Sequence, residues 1–202
     1  GVMTADDAIR TVRERGILMQ EAVPAGVGGM SAVLGMTADE INAVVDDIPN
    51  VQVANYNCPG QIVISGLKEA VEIAAVKLKE AGARRVIPLN VSGPFHSYLL
   101  EEAGEKLGRF LENIPVSEPV IPYVANVTAA YVTKAEDVKP LLTRQVSSSV
   151  RWQQSVEIML ADGVDRFIEI GPGKTLAGFI RKINREATVI NIEKFEDLEK
   201  LN

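Results

Sequence analysis

Two apolar runs, residues 51–56 and 61–65, are separated by only Asn57-Cys58-Pro59-Gly60. A connection that short leaves no room for a crossover and folds the runs into an antiparallel hairpin. The flanking pattern extends the constraint. Residues 30–34 read as a strand, and Thr37 opens a helix to about residue 47, with Glu40 completing a capping box. After the hairpin, residues 67–82 read as a helix with Val71, Ala74, Ala75 and Leu78 inward, ended by Gly82. Residues 85–91 close the set as a strand. The order is βαββαβ, the ferredoxin-like pattern, and it predicts a small subdomain over residues 27–90.

The remaining chain, 1–26 with 91–202, is expected to form part of a larger α/β core. Thr4 is an N-cap with Asp6 and Asp7 in the first turn, and Ile9, Val12, Gly16 and Met19 form the expected apolar face. Arg15 borders that face. A half-buried arginine there suits bidentate capture of a carboxylate, or else complements the helix dipole. Beyond residue 91, expected helices at 98–113, 135–146, 152–162 and 174–184 alternate with strands at 121–126, 167–170 and 189–192. A last helix spans 195–201. Alternation of this kind argues a mostly parallel sheet covered on both faces.

Composition narrows the function classes. The 202 residues carry a net charge of −6, which disfavours a general nucleic-acid or anionic-membrane binder. No apolar run reaches the roughly 18 residues of a membrane span, and no signal peptide is visible. One cysteine and one histidine argue against a disulfide framework and against zinc. The expectation is a soluble, cytoplasmic protein.

The single histidine, His96, ends the stretch from Asn90 through Gly93-Pro94-Phe95 and lies between a strand and a long amphipathic helix. A helix N-terminus disfavours imidazolium, and a neutral ring is the better proton acceptor for general-base chemistry. An ordinary strand-to-helix histidine fits the same position. Gly171-Pro172-Gly173-Lys174-Thr175 follows a strand and opens a helix, but a Walker A loop needs glycine at Ile168 and a GxGxxG fingerprint needs it at Leu176. A structural turn is expected instead. No G-x-S-x-G elbow exists; Ser31 comes nearest, with Val33 in the place of the second glycine. Cys58 could pair with His96 as a nucleophile, although nothing near it in sequence lowers a thiol pKa. Gln145, before Val150-Arg151-Trp152, ends a helix.

With Val12-Arg13-Glu14-Arg15-Gly16 and Met19-Gln20, Asn55-Tyr56-Asn57-Cys58-Pro59-Gly60-Gln61, Gly93-Pro94-Phe95-His96-Ser97, Gln145 with Val150-Arg151-Trp152, and Glu169-Ile170-Gly171-Pro172-Gly173, the chain resembles the malonyl-CoA:acyl carrier protein transacylase family. The resemblance covers essentially the whole chain. It implies an α/β-hydrolase-like core with a ferredoxin-like insert. The implied reaction is ping-pong: a serine takes malonyl from malonyl-CoA and passes it to the phosphopantetheine thiol of acyl carrier protein, in fatty acid synthesis or a polyketide pathway. No cofactor beyond the coenzyme A thioester is implied. Arg15 would hold the malonyl carboxylate, and His96 would activate the serine and protonate the leaving thiol. Gln145 would orient the imidazole through its carbonyl. Asn57, Met19 and Phe95 would border the substrate, with Phe95 excluding an α-methyl group.

The family's serine elbow and the loop completing its oxyanion hole precede the point matching Gly1. The resemblance therefore implies the C-terminal two-thirds of a transacylase, inactive alone and partnered by the missing N-terminal part. Two alternatives stay open: a non-catalytic carrier-protein-binding fragment, using Arg84, Arg85, Arg181, Lys182 and Arg185, or a Cys58–His96 acyl hydrolase.

Overall fold

A computed structural model describes residues 1–91 and 93–201; Ser92, inside the histidine stretch, lies outside the described residues. Helix α1 (Ala5–Ala22) starts where the sequence places it, with the Asp7 amide donating to Thr4 Oγ1 at 3.1 Å. Its buried side differs from the expected one. Ile9 and Val12 are 67% and 70% exposed, while Thr11 and Met19 are buried. The helix carries apolar residues on more than one side, and Met19 borders both, so periodicity alone cannot choose. Arg15 shares the Thr11 side and is half-buried.

The βαββαβ order is present as β1 (Gly28–Leu34), α2 (Ala38–Val45), β2 (Val51–Cys58), β3 (Gln61–Leu67), α3 (Lys68–Glu80) and β4 (Arg85–Pro88). These strands form one antiparallel sheet of four in the order β2-β3-β1-β4. Cys58 pairs with Gln61 across Pro59-Gly60, and Gly60 takes the positive φ of 71° that the turn requires. The capping box at Thr37 and Glu40 forms, with the Thr37 amide donating to Glu40 Oε2 at 2.8 Å. Helices α2 and α3 cover one face of the sheet, packing Ile41, Val45, Val71, Ala74 and Leu78 on Val33 and Ile64. The other face packs Met30, Ala54 and Val63 against Phe95. β4 is shorter than its apolar run suggested, because proline at 88 has no amide to donate. The ladder contact nevertheless continues as Leu89 N to Met30 O at 2.9 Å.

β2 is an edge strand, and its free edge is covered. Val150 forms a parallel bridge with Asn55, donating to Ala54 O at 2.7 Å and accepting from Tyr56 N at 2.9 Å. Ser149 Oγ adds a 2.6 Å bond to Val53 O. This satisfies polar backbone that an open edge would leave for a stray strand.

The second half holds a 3₁₀ turn (Tyr98–Leu100), α4 (Glu101–Glu112), α5 (Ala135–Gln145), α6 (Trp152–Ala161) and α7 (Thr175–Ile183). α1 and α5 sandwich α4 around Met19, Val23, Leu100, Leu107, Leu111 and Val146. Gly104 permits the α4–α5 approach, since a Cβ there would lie 3.0 Å from the Thr143 carbonyl. The mostly parallel sheet expected for this half is not what the described residues form. β5 (Tyr123–Ala125) pairs antiparallel with β6 (Ala130–Val132), a strand the sequence reading missed. Besides the single Asn55–Val150 bridge, only β7 (Arg166–Ile170) and β8 (Thr188–Ile192) pair in parallel among the described residues. Nor are both faces covered: α7 packs on the pair and Ile192 is buried, but Ile170 is 81% exposed. The expected last helix is a 3₁₀ segment, Phe195–Leu201. No helix of the described residues is long and apolar enough to cross a membrane.

Candidate active site

The stretch after β4 is fixed by small, local contacts. Pro94 is fully buried and packs so close to β1 that a Cβ at Gly28 would collide with its ring. Buried Ser97 donates through Oγ to Pro94 O at 2.7 Å. Between them the backbone turns through His96 with φ of 56°, the left-handed region that a non-glycine residue occupies only under constraint.

His96 Nδ1 lies 3.0 Å from the main-chain carbonyl of Gln145. A carbonyl only accepts, so in the neutral ring Nδ1 carries the proton and Nε2 keeps its lone pair. The Gln145 side chain faces away and donates to Ser148 O and Ser149 O at 3.1 and 3.3 Å. Burial holds the His96 pKa below 6.5; the Gln145 carbonyl opposes that, the Arg15 charge reinforces it, and Ser148 opposes it through a backbone bond. The neutral imidazole expected from sequence is thus favoured mainly by burial. A helix N-terminus is not its main source, because α4 begins only at Glu101, beyond the 3₁₀ turn.

Arg15 and His96 open onto one cavity of about 480 Å³. Met19 joins them from α1, Met30 from β1, Asn55 from β2, and Phe95 from the histidine stretch. Arg15 makes no ion pair or side-chain hydrogen bond among the described residues, and burial lowers its pKa. A guanidinium that has lost water without gaining a carboxylate can bind one.

Of the sequence candidates, the structure brings together Arg15, Met19, Phe95, His96 and the Gln145 carbonyl. Asn57 is not among the lining residues. It falls at the register shift between Tyr56 and Cys58, and Asn55 faces the cavity instead. Met30 and Asn55 were missed, since neither carries a local chemical signature.

Two other motifs resolve as structure. Glu169 Oε1 and Oε2 accept from the Leu176 and Ala177 amides at 3.1 and 2.9 Å, so the N-terminus of α7 is already capped by a carboxylate. Asn191 Nδ2 ties Gly173 O to β8 at 2.8 Å. Gly171-Pro172-Gly173 is therefore a tight turn and not a phosphate cradle. Cys58 is 0% exposed at the end of β2, away from the His96 cavity, and burial raises its thiol pKa. That removes the cysteine–histidine pairing. In the basic set, Arg181 and Lys182 are engaged by Val189 O and Gln61 Oε1 at 3.1 and 3.0 Å, while Arg84, Arg85 and Arg185 are exposed.

Comparison with known proteins agrees with this geometry. Residues 1–196 match the acyl transferase domain family. The chain is 46% identical over 203 residues to the malonyl CoA-acyl carrier protein transacylase of Bacillus subtilis, covering 98% of this chain and 64% of that protein. It is 41% identical to the enzyme of the same name from Staphylococcus aureus (strain MRSA252), covering 100% and 67%. An acyl carrier protein S-malonyltransferase from Vibrio cholerae superposes with a TM-score of 0.97 at 40% identity, over 100% of this chain and 67% of that one. A malonyl-transacylase solved in complex with its type II polyketide synthase acyl-carrier protein gives 0.95 at 39% identity, over 99% and 66%. The chain thus spans about two thirds of the length of the relatives it matches. On the match over residues 1–196, the chain belongs to the acyl transferase domain family.

Proposed function

We propose that this chain carries the histidine-and-arginine part of a malonyltransferase, which moves malonyl from malonyl-CoA to the phosphopantetheine thiol of acyl carrier protein. The observation that carries the reading is a half-buried Arg15, without an ion-pair partner among the described residues, opening on the same cavity as the neutral His96. The chain spans about two thirds of its relatives, which leaves room for a further part of the proposal: the nucleophilic serine belongs to a segment N-terminal to these residues.

In the first half-reaction, His96 Nε2 takes the serine proton as Oγ attacks the thioester carbonyl. The tetrahedral intermediate collapses with loss of the coenzyme A thiolate, which takes that proton from the imidazolium. In the second, Nε2 takes the proton of the carrier thiol, the thiolate attacks the malonyl ester, and the serine alkoxide is reprotonated. The Gln145 carbonyl holds the Nδ1 proton throughout. Arg15 binds the malonyl carboxylate with two parallel N–H donors. Phe95 narrows the cavity beside the reacting group, so its bulk disfavours an α-methyl substituent. The reaction uses no cofactor beyond the thioester itself, and it belongs to the cytoplasmic synthesis of acyl chains.

The test fuses the chain behind the N-terminal third of the Bacillus subtilis relative and follows acyl loading by intact mass. Malonyl-CoA should load the fused segment. Arg15→Lys, which cannot make the paired contact, should lower malonyl loading roughly 10- to 150-fold, from a loss of about 1.5–3 kcal/mol. Acetyl loading should change little. Equal losses on both substrates, or an adduct on this chain's own residues, would overturn the reading.

A further inference from the structure

The geometry points to a residue that no sequence motif singles out: we propose that Gln52 is a positioning residue for His96, its side-chain amide holding the left-handed turn that aims the imidazole. The inference rests on the reading of His96 as general base. Its observations are independent of that reading.

The backbone at His96 is strained, with φ of 56° on a residue that bears a Cβ. Such a conformation persists only where its surroundings over-determine it. Gln52 constrains the chain as it leaves His96. Its Nε2 donates to His96 O at 3.2 Å, and its Oε1 accepts from Tyr98 N at 3.0 Å. One planar amide therefore spans the peptide units that enter and leave Ser97. The amide has only one orientation there, because His96 O can only accept and Tyr98 N can only donate. Tyr98 is held a second time, its hydroxyl donating to Asn50 Oδ1 at 3.0 Å.

The strand beneath gives the clamp its rigidity. Gln52 pairs with Ser65 in the β2–β3 ladder. Three residues on, Asn55 bridges Val150, and Ser149 bonds Val53 O, so the segment that follows Gln145 is sewn to the same strand. β2 thus fixes both sides of the 3.0 Å contact between His96 Nδ1 and Gln145 O. A hydrogen bond anchored on one strand at both ends holds its length without relying on the loops that bear it.

The test exploits His96 being the only histidine, so that its ring gives one set of NMR signals in the 202-residue chain. Gln52→Met keeps the length and removes both bonds. Arg15 faces the ring from α1, and Glu101, Arg144 and Arg151 line the hollow behind Gln52; all four are unchanged by the substitution. In the parent chain, ¹⁵N shifts should report the Nδ1–H tautomer and a titration midpoint below 6.5. In Gln52→Met the ring should lose its hold on Gln145 O and sample both tautomers, while the β2–β3 amide signals stay in place. An unchanged single tautomer in the folded variant would overturn the proposal. Should Gln52→Met fail to fold, Gln52→Asn, too short to reach both partners, is read in the same way.

In the fused transferase, Gln52→Met should lower kcat by about 10²-fold, the scale of a 1 Å misplacement, with KM for malonyl-CoA nearly unchanged because Arg15 is intact. Loss of KM with kcat preserved also overturns the proposal. The ring signals need no transfer activity, so failure of the transferase reading and failure of the clamp are separately visible.

Discussion

Acidification should destabilise this fold through His96 by an amount that can be bounded in advance. Burial depresses the native pKa of the ring below 6.5, so on acidification the unfolded chain takes up a proton that the native site resists. The contribution is fully present above pH 6.5 and is lost as pH falls from there toward the native pKa. Were the native ring never to protonate, the loss at pH 5.5 would be RT ln(1 + 10), about 1.4 kcal/mol, and that is the ceiling. With a urea m-value of about 2 kcal/mol/M, the ceiling moves the midpoint by about 0.7 M. The assay compares urea midpoints at pH 7.5, 6.5 and 5.5 for the parent chain and for His96→Asn. Asparagine tolerates the left-handed backbone, so the variant removes the titration without adding strain. Carboxylates contribute equally to both chains and cancel in the difference. The parent chain should lose more stability than His96→Asn between pH 7.5 and 5.5, within the ceiling. Equal losses, or a larger loss in the variant, would refute a buried neutral imidazole.

Two further outcomes follow from groups that the function does not use. Glu169→Ala should destabilise the chain by about 0.5–2 kcal/mol, the range for loss of a helix cap, read as a shift in urea midpoint. Cys58 should resist iodoacetamide in the native chain and react once urea exposes it, and Cys58→Ala should leave malonyl loading of the fused enzyme in place. Rapid native alkylation would contradict its burial.

What the sequence made legible was local. The Pro59-Gly60 turn, the Thr4 cap and the Thr37–Glu40 box each rest on residues within four positions of one another, and all three form. The buried side of α1 was not legible, because Ile9 and Val12 satisfy helical periodicity as well as the side that packs. The β5–β6 hairpin was hidden for a different reason. Its turn places Ala129 at φ of 51°, and no glycine announces it. Asn57 came from the resemblance, and that Asn55 faces the cavity instead depends on a register shift that alternation does not show. Residue chemistry singled out Arg15 and His96, and the resemblance gave them and Gln145 their roles, but their meeting depends on contacts between residues far apart in sequence. Gln52 is the extreme case: an unremarkable polar residue in a strand, 44 positions from the histidine it holds.

The left-handed backbone at residue 96 also decides how an inactive control should be made. The customary alanine would remove the imidazole and keep the conformational cost, confusing a lost base with a loosened loop. Glycine occupies positive φ freely, so His96→Gly removes the ring and relaxes the backbone in one step. It also vacates a ring-sized space beside the Gln145 carbonyl, an acceptor suited to one N–H of free imidazole. Chemical rescue by added imidazole is then the natural companion to the deletion, and it distinguishes an enzyme that lacks its proton shuttle from one that lacks its shape.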